Sequence, residues 1–116
     1  MDTRGKIISA VEASRLAATG ALVVSGSFDP MLASHAARIS GLKREGVPLV
    51  VAIATTADTI LPARARAELV AGLRAVDYVV ESVEGLVPNI RLEPEDAARL
   101  EKLIEHVHAR QQAASS

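Results

Sequence analysis

The chain contains no cysteine and no tryptophan, and its aromatic side chains are one Phe and one Tyr. Without cysteine there are no disulfides, no thiolate nucleophile and no Cys-ligated zinc. With aromatics at 2%, the core must be built from Ala, Val, Leu and Ile, held by close helix-to-sheet contact rather than by large anchors. Charge of one sign is also missing. A net charge of −1, with no basic block and no aromatic stacking platform, gives no basis for nucleic-acid binding. No apolar run approaches the length of a membrane span, and the N-terminus lacks an apolar signal core. These absences predict a soluble cytoplasmic protein that uses neither membrane nor nucleic acid. At 116 residues there is room for one domain, expected over 1–112, with a fraying tail at 113–116.

What is present is concentrated in one stretch. Ala21-Leu22-Val23-Val24 reads as a short strand covered on both faces. Gly26 permits a sharp turn, Pro30 fixes φ, and Ser34 suits the N-cap of a helix expected from Ser34 to Glu45. A strand that enters a helix N-terminus in this way sets backbone N–H groups and a positive dipole end at the edge of a sheet. Anions, phosphates above all, bind there.

The remaining elements fall around that stretch. Ser9 and Glu12 have capping-box spacing and open a helix to about Thr19, stopped by Gly20. Leu49 to Ala54 is a second apolar strand, and two such strands joined by a helix form a parallel βαβ unit. Thr55, Thr56 and Asp58 lie in the polar loop that follows, at the carboxyl edge where open α/β sheets place ligands. Pro62 precedes a helix expected from Ala63 to Leu73. Its first turn carries Arg64 and Arg66, an unfavourable place for cations unless an anion is near. Val76 to Val80 is a third parallel strand, and Glu81 to Leu92 reads as loop with a short extended piece. Pro94-Glu95-Asp96 opens an amphipathic helix to about Gln112. His106 and His108, two apart on that helix, point to nearly opposite sides, so no metal site is expected. The pattern predicts a three-layer, Rossmann-like α/β domain with a short parallel sheet, helices on both faces and a C-terminal helix.

Gly26-Ser27-Phe28-Asp29-Pro30 followed by His35 resembles the Gly-x-Phe-Asp-x-x-His-x-Gly-His signature of the nucleotidyltransferase superfamily of cytidylyl- and adenylyltransferases. Lys6 to Ser9 before a short helix, Gly20 before the strand, and the run Leu73 to Val79 resemble the adenylyltransferase domain of bacterial ADP-heptose synthases. The likeness covers about residues 6 to 80. It implies a nucleotidyltransferase fold that binds ATP or CTP with magnesium, with a phosphorylated substrate attacking the α-phosphate and pyrophosphate leaving. It assigns catalysis to His35, as a donor to a phosphate oxygen, and to Arg66. Gly26, Ser27, Phe28, Asp29 and Ser34 would hold the nucleotide, and Thr55, Thr56, Asp58 and Arg64 are further candidates to line its pocket.

Several positions depart from the pattern. Leu32 stands where the family has its first histidine, and Ser34 where it has glycine. No lysine occurs between Lys43 and Lys102, and no Ser/Thr-rich motif follows Val80. Phosphoryl-type transfer depends on donors and cations placed around the phosphates. The sequence therefore predicts a binder of a nucleotide or of a sugar or polyol phosphate, with transfer impaired. The alternative is a catalytically inactive relative that serves as a binding or assembly module. A third expectation is an enzyme completed by a second copy, since the Ala-rich helices allow close packing into a homodimer.

Overall fold

The computed structural model describes residues 2–93; the helix expected at 94–112 and the tail lie outside them. After a 3-10 turn at Arg4–Lys6, the elements in chain order are β1 (Ile7–Ile8), α1 (Ala10–Ala18), β2 (Leu22–Gly26), α2 (Ala33–Leu42), β3 (Leu49–Ile53), α3 (Ala63–Ala71), β4 (Tyr78–Val80) and β5 (Ile90–Arg91). The strands form one sheet in the order β1-β4-β3-β2-β5, and each neighbouring pair is parallel. The protein is a three-layer, Rossmann-like α/β fold.

Strand alternation builds the layers. Every residue of β3 is buried. Leu49, Val51 and Ile53 point to one face, where they pack with Ile39 of α2 and Ala67, Val70 and Ala71 of α3. Val50 and Ala52 point to the other, against Ala13 of α1, with Val83 and Leu86 of the β4–β5 connection beside them. The central strand is thus covered twice, which its unbroken apolar run requires. Alanines at the helix contacts let the helices approach the sheet closely, as an aromatic-poor core must.

Because all strands run the same way, their carboxyl ends share one edge. The chain leaves β2 for β3 over the α2 face, but reaches β5 over the opposite face. β2 and β5 therefore flank a topological switch point, the usual ligand crevice of open α/β sheets.

The boundaries differ from the sequence expectation in several places. β2 runs two residues past Val24, to Gly26, because it keeps register with β3 as far as Ile53. The N-cap of α2 is Leu32 rather than Ser34, and the helix stops at Leu42. Lys43 is extended there, and Arg44 and Val47 pair in an antiparallel bridge around Gly46, whose φ is +77°. α3 ends at Ala71, two residues short of Leu73, and β4 begins at Tyr78 rather than Val76. Ile7–Ile8 and Ile90–Arg91 are strands of only two residues, too short to show a period.

Candidate functional site

The β2–α2 turn is built by Gly26 and Phe28. Phe28 has φ +49° and a wholly buried ring. That ring folds back on Gly26 so closely that a Cβ there would lie 2.4 Å from Phe28 Cζ. Glycine is thus required at 26 by packing, although the backbone there is ordinary β. The peptide between Asp29 and Pro30 is cis. On its other side Phe28 meets the His35 imidazole edge-to-face, with centroids 5.4 Å apart.

His35 is the third residue of α2 and is 5% exposed. Its Nδ1 accepts the Leu32 N–H at 2.9 Å, so a histidine fills the role that Glu or Gln plays in the side-chain half of a capping box. With Nδ1 accepting, Nε2 carries the proton in the neutral ring, an assignment that follows from the hydrogen bond. Ser34 is exposed, one residue earlier in the same turn.

Asp29 ties this turn to the β3–α3 loop. Its Oδ2 accepts the Ile60 N–H at 2.7 Å and its Oδ1 the Leu61 N–H at 2.8 Å. The two amide bonds, Ile60's foremost, hold the carboxyl below its ordinary value of 3.8 against the opposing effect of burial, with a lesser contribution from the charge of Arg66.

Arg66 forms the second tie. Its side chain is 0% exposed. Nε donates to Leu61 O at 3.0 Å, Nη1 to Ser27 O and Ala54 O at 2.8 Å each, and Nη2 to Thr55 Oγ1 at 2.7 Å. The guanidinium is thus enclosed between the two loops, and its place in the structure is that of a strut. Thr55 is engaged by it. Thr56 closes its own loop, its N–H donating to Thr59 Oγ1 at 2.9 Å. Asp58 is exposed in that loop. Arg64 faces outward, within 3.3 Å of Glu68 and 3.7 Å of Glu81.

The structure thus brings Gly26, Ser27, Phe28, Asp29, His35, Thr55 and Arg66 into one hydrogen-bonded and packed assembly, while Arg64 is directed to carboxylates. Leu32 and Ile60, on the two joined loops, are 55% and 86% exposed. Among the described residues no three His, Asp or Glu side chains gather to hold a metal.

Among the described residues, two hollows bear on function. One of about 330 Å³ lies at the opposite, amino edge, beside Lys43, Val47, Asp77 and Tyr78. Its charged groups already have structural duties: Lys43 bonds to Asp77 and to Val47 O, and Asp77 accepts the Leu49 N–H at 2.7 Å. The other, about 140 Å³, opens at the carboxyl edge between β2 and β5, lined by Ser25, Ala54, Arg91 and Glu93 among others. Ser25, Arg91 and Glu93 are not among the residues that the sequence singles out. The signal available was weak, a polar residue closing an apolar strand and an Arg-x-Glu step in a stretch without a clear period. Comparison with family models, curated proteins and solved structures finds no match.

Proposed function

We propose that the protein binds the phosphates of a nucleotide, ATP or CTP with magnesium, at the β2–α2 turn, as a nucleotidyltransferase-like protein whose transfer chemistry is impaired. What supports this reading is the turn itself. Gly26 and Phe28 direct the chain from the end of β2 into α2 beside the switch point, where a helix N-terminus favours negative charge. Asp29 is the carboxylate of that turn, and the Ile60 and Leu61 amides hold its pKa below the ordinary value. Magnesium would arrive on the nucleotide, drawing its ligands from phosphate and water rather than from a cluster of protein carboxylates. His35 would orient the first turn of α2 toward the phosphates.

A catalytically inactive relative that serves as a binding or assembly module is the second reading, and two observations favour it. Arg66 is wholly enclosed by the loops, and an exposed apolar Leu32 occupies the place of a phosphate donor. Loss of one transition-state donor costs about 2.7–4 kcal/mol of barrier. The absence of efficient transfer is the outcome both readings share, and nucleotide binding separates them. A homodimer remains part of the proposal only as an assembly that would supply missing donors.

The test is calorimetric titration with ATP and with CTP, with and without magnesium, beside His35→Gln. Glutamine retains an acceptor for the Leu32 N–H, so the variant keeps the cap while losing the ring. Micromolar binding of one nucleotide that weakens in the variant is expected. Absence of binding at millimolar nucleotide by the folded protein overturns the reading.

A further inference from the structure

The hollow between β2 and β5 has a chemistry that the phosphate reading does not use. Ser25 and Arg91 are register partners on adjacent parallel strands, so their side chains share a face. Val23, two residues before Ser25, packs in the α1-side cluster, which identifies that face. Ser25 is 2% exposed, whereas Arg91 is exposed at the rim. No hydrogen bond or ion pair among the described residues holds the Arg91 guanidinium. Glu93 lines the same hollow, and its Oε1 is buried without a hydrogen-bond partner. The opposite wall is aliphatic: Val83, Leu86 and Pro88.

A cation and an anion thus line one small hollow, with no bond between them, next to an apolar wall. A buried carboxylate oxygen without a donor is an unmet demand, strongest for a cationic donor. Arginine presents a planar fork that matches a carboxylate. At about 140 Å³ the space suits a molecule of roughly benzene's size. We propose that this hollow binds a small aliphatic α-amino acid as its zwitterion. The ammonium pairs with the Glu93 carboxylate, the ligand carboxylate pairs with Arg91, and the side chain lies on Val83, Leu86 and Pro88. Ser25 supplies a hydroxyl at the floor. The site lies on the α1 side of the same edge, with Ser25 and Ala54 between it and the α2 turn, and the proposal does not require that a nucleotide bind at that turn.

The test is titration of the protein with L-alanine, beside propionate, ethylamine and L-lactate. These analogues remove the ammonium, remove the carboxylate, or replace the ammonium by hydroxyl. Alanine is expected to bind at least about tenfold more tightly than each analogue. It is expected to bind at least about tenfold more weakly to Glu93→Gln and to Arg91→Gln, with circular dichroism confirming that both variants are folded. ATP titrated into the same samples reports on the phosphate site separately. Three results would each overturn the proposal: no alanine binding at millimolar concentration, propionate or lactate binding as well as alanine, or affinity unchanged in both variants.

Discussion

The ring of Phe28 occupies the space in which a side chain at residue 26 would begin: its Cζ lies 2.4 Å from the position of a Cβ on Gly26. The turn is therefore set by a contact between two residues two apart, one with no side chain and one with the largest apolar side chain in the buried core.

Gly26→Ala should destabilise the protein by about 1–3 kcal/mol, the usual cost of forcing a methyl group into a filled core. Phe28→Ala should cost about 3–5 kcal/mol. The double variant Gly26→Ala/Phe28→Leu should lose less than the sum of its single changes, since the smaller side chain can clear the alanine. Urea unfolding of the set checks this, and strict additivity would contradict the contact.

Arg66→Met should leave the carbonyls of Ser27, Ala54 and Leu61 without their donor while keeping much of the side chain's bulk. Stranded buried acceptors cost about 1–3 kcal/mol apiece, and relaxation toward water should limit the total to about 3 kcal/mol. Hydrogen exchange should quicken in residues 27–30 and 54–62, with β3 still protected. Uniform acceleration across the sheet would show that Arg66 serves the whole fold rather than the loops.

Acid should weaken the fold through two carboxylates. Backbone amides of Ile60 and Leu61 and the charge of Arg66 lower the Asp29 pKa. At Asp77 burial pushes upward, but the Lys43 hydrogen bond, the Leu49 N–H and the charges of Lys43 and Lys6 outweigh it and leave the group below its ordinary value. Both folded pKa values lie under the unfolded one, so the stabilisation is complete above about pH 4 and is lost as pH falls through the lower, folded values. Urea midpoints measured from about pH 7 to about pH 3 should fall steeply at the acid end, and less so in Asp29→Asn and Asp77→Asn.

Asn89→Ala should loosen β5. The Asn89 side-chain Oδ1 accepts the Val23 N–H at 2.8 Å, and the Asn89 backbone N–H donates to Val23 O at 2.8 Å. Alanine keeps the second bond but leaves a buried amide unmet, for about 1–3 kcal/mol. Thermal unfolding, together with exchange at Val23, would register the change.

The parts legible in the sequence were those with a repeating physical demand. Leu49 to Ile53 had to be a doubly covered strand because no residue in it tolerates water, and Ser9 is the N-cap its spacing announced, accepting the Glu12 N–H at 3.2 Å. The N-cap of α2 was misplaced because Ser34 has good intrinsic capping chemistry, whereas the actual cap, Leu32, has none. His35 satisfies that N–H from inside the helix, a contact that depends on the ring lying against Phe28. Arg66 was legible as a residue of interest, but not as a buried one. Its acceptors are main-chain carbonyls on two loops, and main-chain oxygens leave no mark in a sequence. β5 was legible only as a short extended piece within 81–92, for a related reason: Ile90–Arg91 is held to β2 by Asn89 and by the Leu92 N–H on Ser25 O rather than by an apolar pattern of its own.

The two outermost strands are the shortest in the sheet, Ile7–Ile8 on one side and Ile90–Arg91 on the other. A short margin offers another molecule very little backbone to pair with, and Arg91 adds a charge there. The long apolar strands β2 and β3 are thereby kept from serving as templates for fibrils. Shortening the chain before Asn89 would uncover one side of β2 and should increase self-association through its strands.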